Sequence, residues 1–489
     1  MDAYAKAETL YNQALESLQA GQPGAAEKKL RKALALLPEH VAILMQLAGV
    51  LFQQRRFADS EKLLRQVIRL EPHNPEPRFN LALSLEERGE RNAALEHYTR
   101  YLEACPDDAR AHNNRGSLLA DLKRPDEALP NLERACLLAP GDARAQANRA
   151  RVLQALHRDE EALSAYERAL VLNPTLDKLE FEWSQLNMAL GHYRKGWPGF
   201  ARRWGVERGA VRHGDALWLG HEDVAGKTVL LISGLIGFGD TIQFSRFAPM
   251  VAARGARVVL QVQPPLQRLM QSLPGVDQVV TRPEEAGGHD CYSHILYGLP
   301  IAFDIELDSV PTPIPYLRAP AEASARWKER LDVFQGLRIG LSWSAHHDEE
   351  NVRSIPLQAL QALFDSGATF FTLQKEVRAA DKPVFDALVA RGVLQDVREE
   401  LHDFADTAAL VDGLDLVISC DTVAVHVAGA LGRRVWAALN HYADWRWLRG
   451  RQDSPWYPDA RLFRQPRPGD WAGLAQAMAG ELVGQARRS

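Results

Sequence analysis

Small and apolar side chains recur along the first 200 residues with a period of 34. Prolines stand at Pro38, Pro72, Pro106, Pro140 and Pro174. Twelve residues before each lies a small side chain, at Ala26, Ser60, Ala94, Ala128 and Ala162, and twenty-four before lies another, at Ala14, Ala48, Ala82, Gly116 and Ala150. Small residues at such points let two antiparallel helices approach closely, and proline blocks continuation of the second helix. The spacing therefore predicts helix, turn, helix and stop, five times over residues 7–174. A sixth, degenerate pair extends to Trp204, with Gly191 at its turn and Phe200 in its second helix.

Beyond Trp204 the period disappears. Residues Val206 to Asp223 are polar and glycine-containing and read as a linker. Lys227–Ser233 is then an apolar, β-branched run, followed by Gly234, Gly237, Gly239 and Asp240, a helical pattern and a second strand at Ala256–Val262. Alternation resumes at Arg338–Trp343, Thr369–Leu373, Leu414–Ser419 and Arg434–Leu439. Strands alternating with helices predict parallel sheets. Two such blocks, parted near residues 305–335, predict two Rossmann-like halves facing a cleft.

The repeat period and its small-residue positions resemble the tetratricopeptide repeat (TPR), whose units stack into a superhelix with a peptide-binding groove. Two positions before the first small residue of each unit stand Asn12, Gln46, Asn80, Asn114 and Asn148. Asparagine is a poor helix former, so the register asks for a reason. A primary amide offers donor and acceptor together and can hold a peptide backbone whatever its side chains. Nucleocytoplasmic O-linked N-acetylglucosamine transferases carry a similar ladder. The competing reading is plain repeat consensus.

Composition narrows the field. The chain of 489 residues is 46% hydrophobic and 25% charged with net charge −5, a soluble multidomain balance that disfavours a nucleic-acid partner. The four cysteines are scattered without a C-x-x-C pair, which fits a reducing compartment. No signal-peptide core and no apolar run long enough for a membrane span occur, so a cytoplasmic protein is expected. The glycine loop lacks the third glycine of a dinucleotide fingerprint and carries Asp240 at the helix start, which argues against NAD.

Several motifs appear in order: Gly239-Asp240-Thr241-Ile242-Gln243-Phe244, Arg353-Ser354-Ile355-Pro356-Leu357, Asp403 to Leu410 with Asp406-Thr407, and Asp421-Thr422. Asp444-Trp-Arg-Trp447, Asp453 to Pro458 and Arg461 to Gln465 follow. This set resembles bacterial proteins that join TPR repeats to a domain similar to the lipopolysaccharide heptosyltransferases, glycosyltransferase family 9, of GT-B fold. The chain departs from that family's usual Glu-Gln before the glycine loop, with Leu235-Ile236, and has Cys420 where valine is common.

The resemblance implies a TPR superhelix over residues 1–205, a GT-B acceptor-side half over 206–330 and a nucleotide-sugar half over 331–489. It assigns Asp240 as the catalytic base of an inverting transfer, with a helix N-cap as the alternative. Gly237 and Gly239 shape the loop beside the donor. Asp421-Thr422 closes a strand and opens a helix whose N–H groups suit phosphate, with Asp421 an N-cap or ribose contact. His426, one turn in, is a phosphate contact or a packed core histidine. Arg353 and Lys375 are cations for the diphosphate or solvated surface charges. Asp406 and Thr407 cap a helix beside the nucleotide. Trp445, Trp447 and Trp456 stack on ligand or pack. No Asp-x-Asp motif stands in a metal-binding context, so no metal and no cofactor beyond the nucleotide-sugar donor is expected. The expected activity is sugar transfer to a polypeptide in the repeat groove. The alternatives are a repeat scaffold with an inactive transferase fold and a glycan transferase with repeat-recruited partners.

Overall fold

The structure, a computed structural model, describes residues 3–175, 177–203, 216–234, 236–311, 313–345 and 353–486. Most of the expected linker, Leu235 and the segment 346–352 lie outside the described residues. Two compact units divide inside one helix, at Met1–Glu180 and Phe181–Ser489.

The first unit is a TPR superhelix of paired helices: α1 (Ala3–Gln19), α2 (Pro23–Leu36), α3 (Val41–Gln53), α4 (Phe57–Leu70), α5 (Glu76–Glu87), α6 (Arg91–Ala104), α7 (Ala109–Asp121), α8 (Pro125–Leu138), α9 (Ala143–Ala155) and α10 (Asp159–Leu172). Each second helix stops two residues before its periodic proline. The small residues are buried where the helices of a pair meet, Ala14, Ala26, Ala82, Ala94, Ala128, Ala150 and Ala162 completely so. A further period of 34 becomes visible only here. The turn within each pair holds one left-handed residue, at Gly21, Arg55, Gly89, Lys123, His157 and Gly191. Three of the six lack glycine's freedom, so the helix-terminating turn outweighs the steric cost of a Cβ there.

The sixth helical pair is α11 (Asp177–Ala189), within which the division falls, and α12 (Tyr193–Arg203), which belongs to the second unit. Expected as the end of the superhelix, α12 instead places Tyr193, Trp197 and Phe200 in the core of the α/β body, against Phe244, Trp445 and Trp456. Bonds reinforce the packing: Trp197 Nε1 donates to Ile305 O at 3.0 Å, and Trp456 Nε1 to Tyr193 Oη at 3.2 Å.

Two wholly parallel sheets follow. The first contains β1 (Ala216–Leu217), β2 (Thr228–Ile232), β3 (Arg257–Gln261), β4 (Gln278–Val280) and β5 (Cys291–His294), in the order β1-β5-β2-β3-β4. The second contains β6 (Arg338–Ser342), β7 (Thr369–Thr372), β8 (Leu394–Gln395), β9 (Leu416–Cys420), β10 (Val435–Leu439) and β11 (Ala460–Arg464), in the order β11-β10-β9-β6-β7-β8. Parallel strands are covered on both faces, which is why β9 and β10 are buried throughout and read as continuous apolar runs. The chain leaves β2 toward β3 and β4 but returns on its other side at β5, and leaves β6 toward β7 before returning at β9. Each sheet thus has one reversal point, β2/β5 and β6/β9, where open α/β sheets present their ligand crevices. The expected boundary at 330/331 falls at the end of the helix Ala321–Leu331, which packs with Phe371, Ala409 and Leu410 of the second half.

The role of α12 gives a direct test. A fragment starting at residue 206 removes three buried aromatics, a loss on the order of 5 kcal/mol or more. That is a large share of a domain's net stability. It should be insoluble or melt without cooperativity, whereas a fragment starting at residue 174 should fold. Soluble yield and circular dichroism melting of the two fragments decide, and equal behaviour would show that α12 is dispensable to the core.

Candidate functional site

The loop after β2 carries Gly237, Gly239 and Asp240 into the helix α13 (Phe238–Ser245). Gly237 is the N-cap of α13, and its N–H donates to Asp240 Oδ2 at 3.3 Å, so Asp240 reaches back over the helix start. Gly239 has a separate duty. A Cβ there would lie 2.6 Å from the His426 ring, so glycine permits α13 to rest against the helix Val423–Ala430 that follows β9. Gly429 serves the same purpose near the end of that helix, where the Tyr457 ring packs into the space a Cβ would fill.

His426 is buried by this contact. Its Nδ1 lies 2.9 Å from Tyr457 Oη, and its ring stacks near Trp447. Burial, with the nearby guanidinium groups of Arg446 and Arg246, pushes its pKa down to about 3. His294, at the end of β5, is similar. Its Nδ1 accepts the N–H groups of Leu296 and Tyr297, and burial lowers it to about 3. His294 packs under Gly234, so the two histidines support the two strand-end loops as neutral rings.

Asp421 follows β9 directly but does not cap the helix, correcting one of its two expected roles. The N-cap is Thr422, whose Oγ1 lies 2.9 Å from Ser419 Oγ and 3.4 Å from Ser342 Oγ. Thr422 itself makes no side-chain bond to the helix's first N–H groups. Burial and the neighbouring Asp444 push Asp421 up to about 6, against the pull of Arg353 and Arg446.

The residue at the centre is Arg446, on the 3-10 turn Trp445–Trp447. Its Nη2 meets Asp240 Oδ1, its Nη1 donates to Asp444 Oδ1 at 2.8 Å, and its Nε donates to Gln243 Oε1 at 3.0 Å. Asp240 therefore has both carboxylate oxygens engaged. Arg446 lies within the Asp444–Trp447 motif, but no spacing rule singles out an arginine between tryptophans. The signal was an alternating charged and aromatic run. Trp445, Trp447 and Trp456 are all buried, so they pack and do not line a ligand surface.

Arg353 is exposed and opens the described segment after β6, on the Asp421 side of the second sheet's reversal point. Lys375 has other partners: its Nζ donates to Arg398 O at 2.8 Å and Leu401 O at 3.0 Å, holding a turn. The helix at Asp403 to Asp412 is capped by Asp403, which accepts the N–H groups of Ala405 and Asp406. Asp406 instead accepts the His402 N–H at 3.1 Å, and Arg268 of the first half bridges both acids. The expected cluster is thus assembled from Gly237, Gly239, Asp240, Asp421, Thr422 and His426, with Arg446 added and Lys375 turned to a backbone task.

In the repeat unit the five amides sit one per pair, on α1, α3, α5, α7 and α9. They divide into two sets. Asn148 donates to Asn113 Oδ1 at 2.9 Å and accepts from Arg151, while Asn114 accepts from Asn113 and donates to Tyr98 Oη at 3.4 Å. Tyr98 continues the chain to Glu86 at 3.0 Å, and burial raises the Glu86 pKa. The amides of Asn12, Gln46 and Asn80 make no hydrogen bond among the described residues.

Two tetratricopeptide-repeat family profiles match, one over residues 17–69 and 51–122 and one over 109–142. The chain is similar to a protein named FlbA from Caulobacter vibrioides, 25% identical over 472 residues that span 90% of this chain and 78% of that one. Among solved structures it is similar to MamA, at 18% identity over 35% of this chain and 94% of that one, with a TM-score of 0.33. YrrB, described as a TPR protein with an unusual peptide-binding site, is 21% identical over 35% of this chain and 87% of its own, with a TM-score of 0.32. PilF of Pseudomonas aeruginosa is 17% identical over 42% and 92%, with a TM-score of 0.38. The TPR repeats support a protein-interaction role for the first unit. No helix among the described residues is long and apolar enough to cross a membrane.

The buried histidines predict acid sensitivity. Both are neutral when folded, with pKa values near 3, and titrate near 6.5 when unfolded. The unfolded chain binds the protons first, so stability present above pH 6.5 is lost as pH falls toward 3. Between pH 7 and 5 each ring should withdraw about 2 kcal/mol. His294→Gln should therefore show a shallower fall of Tm over that interval than the native chain, and an identical slope would mean that His294 titrates normally.

Proposed function

We propose that the second unit is an inverting, metal-independent glycosyltransferase acting on a polypeptide bound by the TPR unit. The observation that carries this reading is the meeting of two strand-end loops. A carboxylate from the reversal point of one sheet shares Arg446 with Asp421, which precedes a helix N-terminus at the reversal point of the other. Such a helix start favours a nucleotide diphosphate.

In the proposed step the acceptor hydroxyl oxygen bonds to the anomeric carbon as the bond from that carbon to the diphosphate oxygen breaks. The hydroxyl proton passes to Asp240, and the nucleoside diphosphate leaves with the bonding electron pair. Asp240 Oδ2 keeps a lone pair for this proton while accepting the Gly237 N–H. Thr422 Oγ1 and the adjacent helix N–H groups receive the growing phosphate charge, with Arg353 on the same side.

The competing reading is a TPR scaffold with an inactive fold. It draws on the ion pair that occupies Asp240 and on the backbone bonds that occupy Lys375. A panel of nucleotide sugars separates the two, because a scaffold turns over none. If one donor is turned over, Asp240→Asn should lower turnover by roughly 10²-fold while donor binding persists in calorimetry. An active variant would remove Asp240 as the base.

Acceptor binding is tested on the amides that lack internal partners. Replacing Asn12, Gln46 and Asn80 together by alanine should leave the helices folded, since alanine is the better helix former. Polypeptide modification should fall by on the order of tenfold or more, because each lost amide contact is worth roughly 0.5–1.5 kcal/mol. Hydrolysis of the donor by water should be unchanged. Intact modification in the triple variant would place the polypeptide elsewhere.

A further inference from the structure

Arg446 is 11% exposed at its side chain and lies among three carboxyl groups. Asp240 comes from the first half, and Asp444 and Asp421 come from the second. The guanidinium is fixed from behind by the carbonyl oxygen of fully buried Gln243, and its face lies 4.5 Å from the Trp445 ring. Asp444 also accepts the Arg446 backbone N–H at 3.0 Å, so the turn and the side chain are held by one acid. A planar fork with five donors can serve three separate acceptors at once, which a lysine ammonium on a flexible stem cannot do with fixed geometry.

We propose that Arg446 is a positioning residue of the transfer reaction: one guanidinium orients the Asp240 carboxylate and balances the charge of Asp444 and Asp421 beside the phosphate-binding helix. This rests on the transferase reading. Without that cation, three acids would surround the place where a diphosphate must bind, with Arg353 the other nearby positive charge acting on Asp421. Among the described residues, His426 on the second half's helix, Tyr297 beyond β5 and Tyr193 on α12 also face the cluster, all neutral near pH 7. Buried Trp447 lies on the Asp421 side. Arg446 thereby couples the proton acceptor to the donor's anion site, though they belong to different sheets.

The test uses the full chain with ¹³C-labelled aspartate carboxyls, Asp421 being assigned from the Asp421→Asn spectrum. Removing the cation disfavours the Asp421 anion, so in Arg446→Gln its midpoint should rise from about 6 by on the order of one unit. Asp444→Asn removes a like charge and should lower it by a similar amount. In turnover, Arg446→Gln should lower kcat by tenfold or more and also raise donor KM, because the acids then face the diphosphate uncompensated, and Arg446→Lys should recover only some of the lost kcat. A folded Arg446→Gln with unchanged Asp421 titration and kcat overturns the proposal. If that variant does not fold, Asp444→Asn decides: a lowered midpoint supports the proposal and an unmoved one overturns it. No turnover of any donor by the native chain removes the transferase reading, and the positioning role with it. Native turnover with unmoved variants removes the positioning role alone.

Discussion

The close approach of α13 to the helix Val423–Ala430 is the constraint on which the site depends. It exists because Gly239 has no Cβ to meet the His426 ring, and because Gly429 leaves room for the Tyr457 ring against the same helix. Once the helices touch, His426 is sealed from water and stays neutral, with Tyr457 Oη 2.9 Å from its Nδ1. The same contact brings Asp240 within reach of Arg446, across the boundary between two separately built sheets.

A second arginine secures that arrangement by different chemistry. Arg246 is buried, and its partners are carbonyl oxygens of Gln243 and Trp456, the Tyr316 hydroxyl and the faces of Tyr316, Tyr457 and Trp456. A guanidinium tolerates such surroundings because its charge is spread and its donors are many. Arg246 ties α13 to Tyr316 and to the segment holding Trp456 and Tyr457. Arg446, by contrast, is surrounded by acids at the cleft. The two cations are thus distinguished by their partners: Arg246 meets neutral oxygens and ring faces, whereas Arg446 meets carboxylates.

The sixth helical pair shows how a repeat can change allegiance. It keeps the left-handed turn at Gly191, but α12 has 11 residues where the second helices of the repeats have 14, and Tyr193, Trp197 and Phe200 enter the core of the α/β body. They fill the core beneath the turn that carries Arg446, so a helix with a repeat-like turn supports the α/β body. In the repeat unit itself the amide ladder divides by local partners. Asn114 and Asn148 are drawn into a network with Asn113, Arg151 and Tyr98, while the amides of Asn12, Gln46 and Asn80 make no hydrogen bond among the described residues.

Local rules were enough to determine the repeats, the helix stops and the six long buried strands from sequence. Period, small side chains and proline positions act within some 34 residues, and a buried parallel strand must be a continuous apolar run. Short edge strands such as β1, β4 and β8 carried too few residues for any pattern. The loop glycines, Asp240 and the Asp421-Thr422 pair were legible as chemistry because strand ends followed by helix starts are visible in order along the chain. Tertiary structure alone decided their partners. Lys375 turned to two carbonyl oxygens, the tryptophans turned inward, and Arg446, 206 residues from Asp240, became its counter-charge. Those choices depend on which distant side chains share a low-dielectric space, and no spacing along the chain encodes that.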